Sequence, residues 1–352
     1  MALLDVQDLR VRFATEDGVV KAVDGVSVSV DSGQMLGVVG ESGSGKSVSM
    51  LTVMGLTRAA NATISGAAGF EGRDLLSMPA EDLRRVRGND VAMIFQDPLS
   101  SLHPFYKVGT QIVEAMQAHR DISDVAARDR AVELLGMVGI PDPRQRFGAY
   151  PHELSGGMRQ RAMIAMALSN EPKLLIADEP TTALDVTVQA QILQLLARLQ
   201  RELAMAVVLI THDLGVVAEV TDQIVVMYAG RIVEAASTEK IFRAPEHPYT
   251  WGLLQSIPRL DKPRDEPLVP IAGLPPSLIN LPGGCSFHPR CPYVRERHRR
   301  VEPQLEPLPD DPSHHVACLL DGEMRKNIWK DLRAGMEPQQ ARAAVGLEEE
   351  PA

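Results

Sequence analysis

The sequence has few cysteines and no surplus of basic residues. Only three cysteines occur among 352 residues, and all of them lie in the last fifth of the chain. This odd number does not fit a disulfide framework and favours a reducing compartment. The formal net charge is −10, which argues against a nucleic-acid-binding protein that relies on a broad basic face. No nucleic-acid partner is therefore expected, and any recognition of phosphate must be local.

Long hydrophobic runs are also absent. The longest apolar runs, such as 204–210 and 174–177, are far shorter than the roughly 20 residues that a membrane-spanning helix needs. The first ten residues lack the basic start, apolar stretch and cleavage site of a signal peptide. We therefore expect a protein that is not exported and does not cross a membrane by itself.

The length and a hydrophobic content of 45% indicate about two domains, at roughly 100–200 residues per domain. Short β-branched runs with turn signals predict hairpins over residues 1–40, ending in a buried strand at 36–39. Two apolar strands at 174–177 and 206–210, separated by a helix over 186–203, predict a right-handed parallel strand-helix-strand unit. The implied core is parallel α/β.

Two further segments differ in composition from this core. Residues 97–170 carry apolar residues at helical spacing, including predicted helices at 113–118 and 126–138. From Pro245 onward proline becomes dense, which predicts a structural boundary and an irregular, mostly helix-free region. The end of the chain, from about Glu337, is expected to be frayed.

A phosphate-binding motif follows the first buried strand. It matches the pattern G-x-x-x-x-G-K-[ST] and precedes a predicted helix over 47–56, which is the context that the motif requires. Its backbone N–H groups would face phosphate oxygens, Lys46 would add a full positive charge, and Ser47 would ligate Mg²⁺. The alternative is a glycine-rich connector with one exposed lysine. The predicted nucleotide-binding residues are Gly40, Glu41, Ser42, Gly43, Ser44, Gly45, Lys46 and Ser47.

Two later strands end in polar side chains. The strand at 174–177 leads into Asp178 and Glu179, and the strand at 206–210 leads to His212. The carboxyl end of a buried strand lies beside the phosphate loop, so Asp178 can hold magnesium through its water shell. Glu179 can take a proton from the attacking water or orient that water. The alternative is a charged strand end that caps the following turn. By itself, a histidine at a strand end is more often structural than catalytic.

A second anion site is indicated by Ser155, Gly156 and Gly157 at the start of a predicted helix. Ser155 is a natural N-cap, and the two glycines would let a ligand approach exposed N–H groups. The pattern alone fits an ordinary capped helix equally well. One chain would not need two separate cradles for the same phosphate.

The order of these motifs resembles that in the ATP-binding subunit of an ABC transporter, over roughly residues 3–320. The motifs are the phosphate loop, Leu-Ser-Gly-Gly, the Asp-Glu strand and the histidine strand. The resemblance implies an α/β P-loop NTPase cassette with a mixed or parallel sheet core, an N-terminal antiparallel β-subdomain and a helical subdomain at about 97–170. The cassette would span 1–244, followed by an irregular proline-rich extension over 245–322 and a partly disordered tail over 323–352. The resemblance further implies that Phe13 stacks on adenine, Gln96 takes part in catalysis and magnesium binding, His212 is catalytic, and Asp185 belongs to the nucleotide site. In this family two ATPase subunits clamp ATP head to tail, which explains the second cradle.

Finer features resemble the first ATPase subunit of dipeptide and oligopeptide importers. They are the segment after Gln96, Met158 in the signature, His247-Pro-Tyr-Thr250 and the proline-rich tail. The sequence departs from the usual Ser-Leu-Asn-Pro at His103. The resemblance implies a heterodimer with a homologous ATPase, two transmembrane permease subunits and an extracytoplasmic solute-binding protein, with the chain peripheral on the cytoplasmic face of the inner membrane. An importer of nickel, opines, glutathione or sugars is the alternative, and a non-transport ABC ATPase that acts on nucleic acid is a more distant one.

A cysteine and histidine cluster lies in the extension, with spacings longer than those usual for structural zinc. Its members are Cys285, Cys291, His298 and Cys318. Relatives that this region resembles have four cysteines here, and some hold an iron-sulfur cluster. Three thiolates and one imidazole suit either iron-sulfur or zinc, and the alternative is a metal-free tail with vestigial cysteines.

Overall fold

The structure is a computed structural model that describes residues 2–97, 101–182, 184–257 and 270–347. Its first sheet is antiparallel and four-stranded, in the order β2-β1-β4-β5. Thr15 pairs with Gly18, so a two-residue turn joins the first two strands and confirms the predicted hairpin. The strands are β1 Leu4–Thr15, β2 Gly18–Val30, β4 Ala62–Phe70 and β5 Arg73–Asp74.

A second, eight-stranded sheet forms the centre of the molecule, in the order β11-β12-β10-β9-β3-β8-β7-β6. The strands from β9 to β6 pair in parallel, whereas β9, β10, β12 and β11 pair antiparallel. The sheet is therefore mixed. Its strands are β3 Met35–Val39, β6 Val91–Ile94, β7 Leu174–Asp178, β8 Ala206–Thr211, β9 Gln223–Tyr228, β10 Arg231–Ser237, β11 Glu306–Leu308 and β12 Asp311–Val316.

The strands β3, β7 and β8 are buried along their whole length, as expected for parallel strands covered on both faces. Successive side chains of β7 pack on opposite sides, because strand side chains alternate. Leu175 and Ala177 join one hydrophobic cluster, and Leu174 and Ile176 join the other. Because β3, β8 and β7 are parallel neighbours, their carboxyl ends meet at one edge of the sheet.

Several of the helices α1 to α7 were predicted from the sequence, whereas α2 and α5 were not. The helix predicted over 186–203 is α7 with the same limits, and it joins the parallel strands β7 and β8 as expected. The helices predicted at 113–118 and 126–138 correspond to α3 and α4. The seven helices are α1 Lys46–Val53, α2 Ala80–Val86, α3 Val108–Gln117, α4 Asp124–Met137, α5 Pro143–Arg146, α6 Gly156–Ala167 and α7 Val186–Leu203.

The C-terminal third is more regular than its proline content predicts. Two of its prolines, Pro248 and Pro338, begin helices, because proline suits the first helical turn, where its missing N–H is no loss. The expectation of an irregular, mostly helix-free region after Pro245 is confirmed for most of the described residues 270–321, where only 296–300 form a helix, and is wrong for the segments around Pro248 and from 322 onward. The remaining helices are α8 Leu214–Val217, α9 Thr238–Arg243, α10 Pro248–Gln255, α11 Glu296–Arg300, α12 Gly322–Arg333 and α13 Pro338–Ala344.

The end of the chain packs against α10. Ile328, Ala341 and Leu347 are buried in a small cluster with Trp251 and Tyr293. The prediction of a frayed end from Glu337, and of a partly disordered tail, is wrong for residues up to 347, while 348–352 lie outside the described residues. Among the described helices, none has the length and apolar character needed to span a bilayer.

Candidate functional site

The phosphate loop connects β3 to α1 and depends on close backbone packing. A Cβ atom at Gly40 would lie 2.2 Å from the carbonyl oxygen of Met227, and one at Gly45 would lie 2.3 Å from that of Ala22. Gly45 also has a φ of 99°, in the left-handed region that favours glycine. The glycines at these two positions are therefore required sterically, which the motif pattern alone does not show.

Lys46 is buried at the mouth of this loop. Its Nζ donates to the carbonyl oxygens of Gly40 at 2.7 Å and Glu41 at 2.9 Å. Burial lowers the pKa of Lys46, while the charges of Glu179, Asp178 and Glu41 act in the opposite direction. The ammonium group is thus held inside the loop by carbonyl oxygens and nearby carboxylates.

Ser47 and Asp178 lie together although they are 131 residues apart. The Ser47 hydroxyl donates to Asp178 Oδ1 at 2.8 Å. Burial raises the pKa of Asp178, and the hydrogen bond from Ser47 partly offsets this effect. A hydroxyl and a buried carboxylate side by side supply the hard oxygen donors that Mg²⁺ prefers, so the predicted pair fits a magnesium ion.

Glu179 lies one residue further along, and three side chains surround its Oε2 atom. Gln96 Nε2 is 3.1 Å away, Thr182 Oγ1 is 2.9 Å away and His212 Nδ1 is 3.4 Å away. Glu179 has a φ of 46°, a conformation that costs energy for a residue with a side chain. The structure therefore brings together the three residues predicted to be catalytic.

Thr182 is the member of this group that sequence reasoning missed. Its N–H donates to the Glu179 carbonyl oxygen at 3.1 Å, and its hydroxyl donates to the Glu179 side chain. The local signal was present, because threonine hydroxyls commonly bond to groups three residues away in turns.

The second predicted cradle lies at the start of α6. Ser155 accepts a hydrogen bond from the Met158 N–H at 3.3 Å, which confirms the predicted N-cap. A Cβ atom at Gly157 would lie 2.9 Å from Val188 in α7, and one at Gly156 would lie 3.6 Å from Leu184. The side chains beside these two glycines therefore come from α7 and from the residues just before it. Ser155 and Gly156 themselves are exposed to solvent.

The other predicted nucleotide-site residues are dispersed. Phe13 is half-buried on β1 and packs against one hydrophobic cluster. Asp185 caps α7, where its carboxylate accepts from the Val188 N–H at 3.0 Å. Ser44 is buried and its carbonyl oxygen accepts from Gly230, whereas Ser42 and Gly43 are exposed.

The expected metal centre in the extension is not supported. Within the described ranges, no group of three or more histidine, cysteine, aspartate or glutamate side chains is arranged to hold a metal ion. Cys285, Cys291 and Cys318 have free thiols, and burial raises the pKa of Cys318 to about 12. The His298 Nδ1 atom accepts from the Arg295 N–H at 2.9 Å. The predicted iron-sulfur or zinc centre is therefore not borne out among the described residues. The spacing of these four residues along the chain did not determine the distances between their side chains.

Two residues of the extension reach the phosphate loop, which the sequence analysis did not anticipate. Arg290 contacts the Glu41 carboxylate, and the Tyr249 hydroxyl accepts from the Glu41 N–H at 2.8 Å. They lie more than 200 residues from the loop, so no local pattern could reveal either contact.

This fold and site define a class. A phosphate loop with a buried lysine, a serine-aspartate pair and a carboxylate at the end of the neighbouring strand are the parts of a P-loop ATPase of the ATP-binding-cassette type. The structure is similar to the dimeric ATP-binding cassette MJ0796 bound to ADP and Pi, with a TM-score of 0.60 and 25% identity over 67% of this chain and 98% of that chain.

The sequence comparisons are more specific. Residues 23–182 match the ABC transporter family, and residues 233–297 match the oligopeptide/dipeptide transporter C-terminal region. The chain is 53% identical to the oligopeptide transport ATP-binding protein OppD of Haemophilus influenzae, over 86% of this chain and 93% of that protein. It is 51% identical to the dipeptide transport ATP-binding protein DppD of Escherichia coli, over 93% of this chain and the full length of that protein. The chain therefore belongs to the ABC transporter ATP-binding subunits of the oligopeptide/dipeptide family.

Proposed function

We propose that this chain hydrolyses Mg-ATP to power the import of dipeptides or oligopeptides. It works as a peripheral subunit on the cytoplasmic face of the inner membrane, with a homologous second ATPase and two permease subunits, and an extracytoplasmic binding protein delivers the solute. The observation that carries the proposal is the cluster of Gln96, Thr182 and His212 around Glu179, beside a phosphate loop. The peptide relatives named above support the solute class.

In the proposed ATP site the loop N–H groups and Lys46 hold the phosphates. Ser47, Asp178 and Gln96 would hold Mg²⁺, which when bound neutralises charge on the phosphate oxygens. Lys46 is already desolvated, so its charge acts with little screening by water. Its present partners are carbonyl oxygens, which are weaker acceptors than phosphate oxygens.

Glu179 is the proposed general base. Its carboxylate lies at the carboxyl edge of the sheet, one residue after the proposed magnesium ligand Asp178. Gln96 and Thr182 fix the position of Oε2 by donating to it, which leaves Oε1 to accept a proton from water. His212 at 3.4 Å is proposed to orient the same carboxylate. General bases positioned in this way contribute about 10²–10⁴-fold to a rate.

The second cradle is proposed to serve ATP bound to the partner ATPase. Ser155 and Gly156 are exposed at the N-terminus of the twelve-residue helix α6, where N–H groups and the helix dipole favour an anion. In the proposed heterodimer, Phe13 and Asp185 of this chain complete the adenine and interface contacts.

The test is to assemble the full chain with the ATPase and permease subunits encoded beside it, in lipid. ATP hydrolysis is then measured with the binding protein loaded with a dipeptide, a longer peptide, nickel, glutathione or a sugar. Stimulation by peptide-loaded protein, together with accumulation of labelled peptide inside vesicles, is the expected result. Stimulation only by a non-peptide solute would reject peptide import, and absence of ATP hydrolysis under every condition would reject the ATPase assignment.

A further inference from the structure

Glu41, the first variable residue of the phosphate loop, is held at three points. Its carbonyl oxygen accepts from Lys46 Nζ at 2.9 Å, and its N–H donates to the Tyr249 hydroxyl at 2.8 Å. Its carboxylate faces Arg290, at 2.5 Å from one terminal guanidinium nitrogen and 3.0 Å from the other. Two of the three points thus come from the C-terminal third of the chain.

The Arg290 side chain is buried, and its guanidinium group is held in place at this contact. Its side chain is only 3% exposed, against 30% for Glu41. The remaining guanidinium donors bond to the carbonyl oxygens of Ala272 at 2.9 Å and Ile271 at 3.4 Å. The group also lies over the rings of Tyr228 and Phe287. A buried guanidinium needs a counter-charge, and Glu41 is the carboxylate with which it pairs.

The geometry joins the extension to a loop that must keep its shape. Tyr249 is the second residue of the helix α10. Arg290 lies in a turn, where its own N–H donates to the Phe287 carbonyl oxygen. When Glu41 shifts, the carbonyl oxygen that Lys46 contacts shifts with it. Fixing a ligand-binding loop in advance removes an ordering cost that the ligand would otherwise have to meet.

We propose that Arg290 is a positioning residue for ATP binding, which holds the phosphate loop in its binding conformation through a two-point contact with Glu41. The C-terminal extension is then part of the nucleotide site and is energetically coupled to it. This inference rests on the proposed binding of ATP to the loop. Its test is designed so that failure of the two can be distinguished.

The first measurement is Mg-ATP affinity by calorimetry on the full chain. Arg290→Met should weaken binding about 5- to 20-fold, because it removes a charge-assisted two-point contact. Arg290→Lys keeps the charge but loses the planar fork, so its affinity should lie between those of the wild type and Arg290→Met. Arg300→Met is the matched control, since Arg300 is an exposed residue of the same extension that pairs with Glu296. It should bind like the wild type.

A double-mutant cycle separates positioning from general damage. Glu41→Gln should weaken binding by a factor similar to that of Arg290→Met, and combining the two should add little, because both remove the same contact. In the assembled complex KM for ATP should rise while kcat changes less than about threefold, the pattern of a lost binding contribution. If Arg290→Met does not fold, Arg290→Lys and Glu41→Gln decide the question.

The reciprocal measurement follows ATP at the extension. Cys291 is adjacent to Arg290, and coupling between two sites must act in both directions. Mg-ATP should slow alkylation of Cys291 several-fold in the wild type. The folded protein is alkylated, and the label on Cys291 is then quantified by peptide mass spectrometry. It should have little effect in Arg290→Met at saturating ATP.

If the contact between Arg290 and Glu41 only stabilised the fold, the measurements would give a different result. The variants would then unfold at lower temperature but keep wild-type affinity for Mg-ATP, wild-type KM and ATP-dependent protection of Cys291, and this outcome would overturn the proposal. If the wild-type chain itself bound no ATP, the proposed function would fail and not the contact. The wild-type titration therefore comes first.

Discussion

Gln96 Nε2 lies 3.1 Å from Glu179 Oε2, although 83 residues separate the two along the chain. Gln96 follows the strand β6 and Glu179 follows β7, and these strands are parallel neighbours. The contact connects the proposed general base to the segment directly after β6, which the structure describes up to residue 97. A displacement of that segment would therefore disturb the carboxylate directly.

Glu179→Gln is expected to bind Mg-ATP but to hydrolyse it at least ~10²-fold more slowly, the low end of what a positioned general base contributes. The amide keeps the shape of the side chain and removes its ability to accept a proton. ATP turnover in the assembled complex and nucleotide binding are the two measurements, and closed dimers should accumulate. Glu202→Gln, an exposed change at the end of α7, is the matched control. Near-normal turnover of Glu179→Gln would remove Glu179 from the role of base.

Lys46→Ala is expected to lose nucleotide affinity. Charge-assisted contacts to phosphate contribute roughly 1.5–3 kcal/mol, so the dissociation constant should rise about 10- to 150-fold. Calorimetry with Mg-ATP is the measurement, and Lys326→Ala, at an exposed lysine that pairs with Asp310, should bind normally. Unchanged binding by Lys46→Ala would contradict the assignment of the phosphate loop.

Ser155→Arg is expected to spare ATP binding on its own chain and to block closure with the partner. The exposed N-terminus of α6 would carry a bulky side chain where the proposed partner phosphate lies. Dimer formation in Mg-ATP, followed by size-exclusion chromatography, is the measurement. Ser155→Ala separates this effect from loss of the helix cap, which costs about 0.5–2 kcal/mol of stability. If the isolated chain hydrolysed ATP at the rate of the full complex without dimerising, the shared site would be wrong.

Acid should destabilise the fold through His247. Burial lowers the pKa of this histidine to about 3, with the charge of Arg325 acting in the same direction. Between pH 6.5 and 3 the unfolded chain binds a proton that the native chain does not. The free energy of unfolding should therefore fall by up to about 1.4 kcal/mol per pH unit as pH drops through this range. Urea denaturation at pH 7 and pH 5 measures the effect.

The variant His247→Asn isolates this contribution. Asparagine can still cap α10 by accepting from the Tyr249 N–H, as His247 Nδ1 does at 3.0 Å, but it does not titrate. The loss of stability between pH 7 and pH 5 should be smaller by about 2 kcal/mol in the variant. His152→Asn, at an exposed position, should keep the wild-type slope. An equal slope in His247→Asn would place the acid sensitivity elsewhere.

Ile328→Ala should lower the free energy of unfolding by about 2–4 kcal/mol, because Ile328 of α12 is fully buried in the cluster that contains Trp251. Val125→Ala, at an exposed position, should change it by less than about 0.5 kcal/mol. Urea denaturation compares the two. A negligible effect at Ile328 would mean that α12 does not contribute to the stability of the fold.

The sequence by itself determined the parts of this protein whose signal is local. The phosphate loop, the carboxylates after β7 and the full extent of α7 were all predicted from patterns spanning at most about twenty residues. Strand alternation and helix periodicity encode which side of an element is buried. The order of the parallel strands then places their ends at one edge.

Only the tertiary structure decided how the C-terminal third is used. The pairing of Arg290 with Glu41 spans 249 residues, and the burial of Leu347 depends on packing against a distant cluster. Proline content predicted irregularity there, yet Pro248 and Pro338 begin helices. Spacing along the chain also failed to determine how the three thiols and His298 are arranged. The physical reason is the same in each case: where periodicity is absent, the path of the backbone is fixed by packing against distant elements, and no short sequence pattern carries that information.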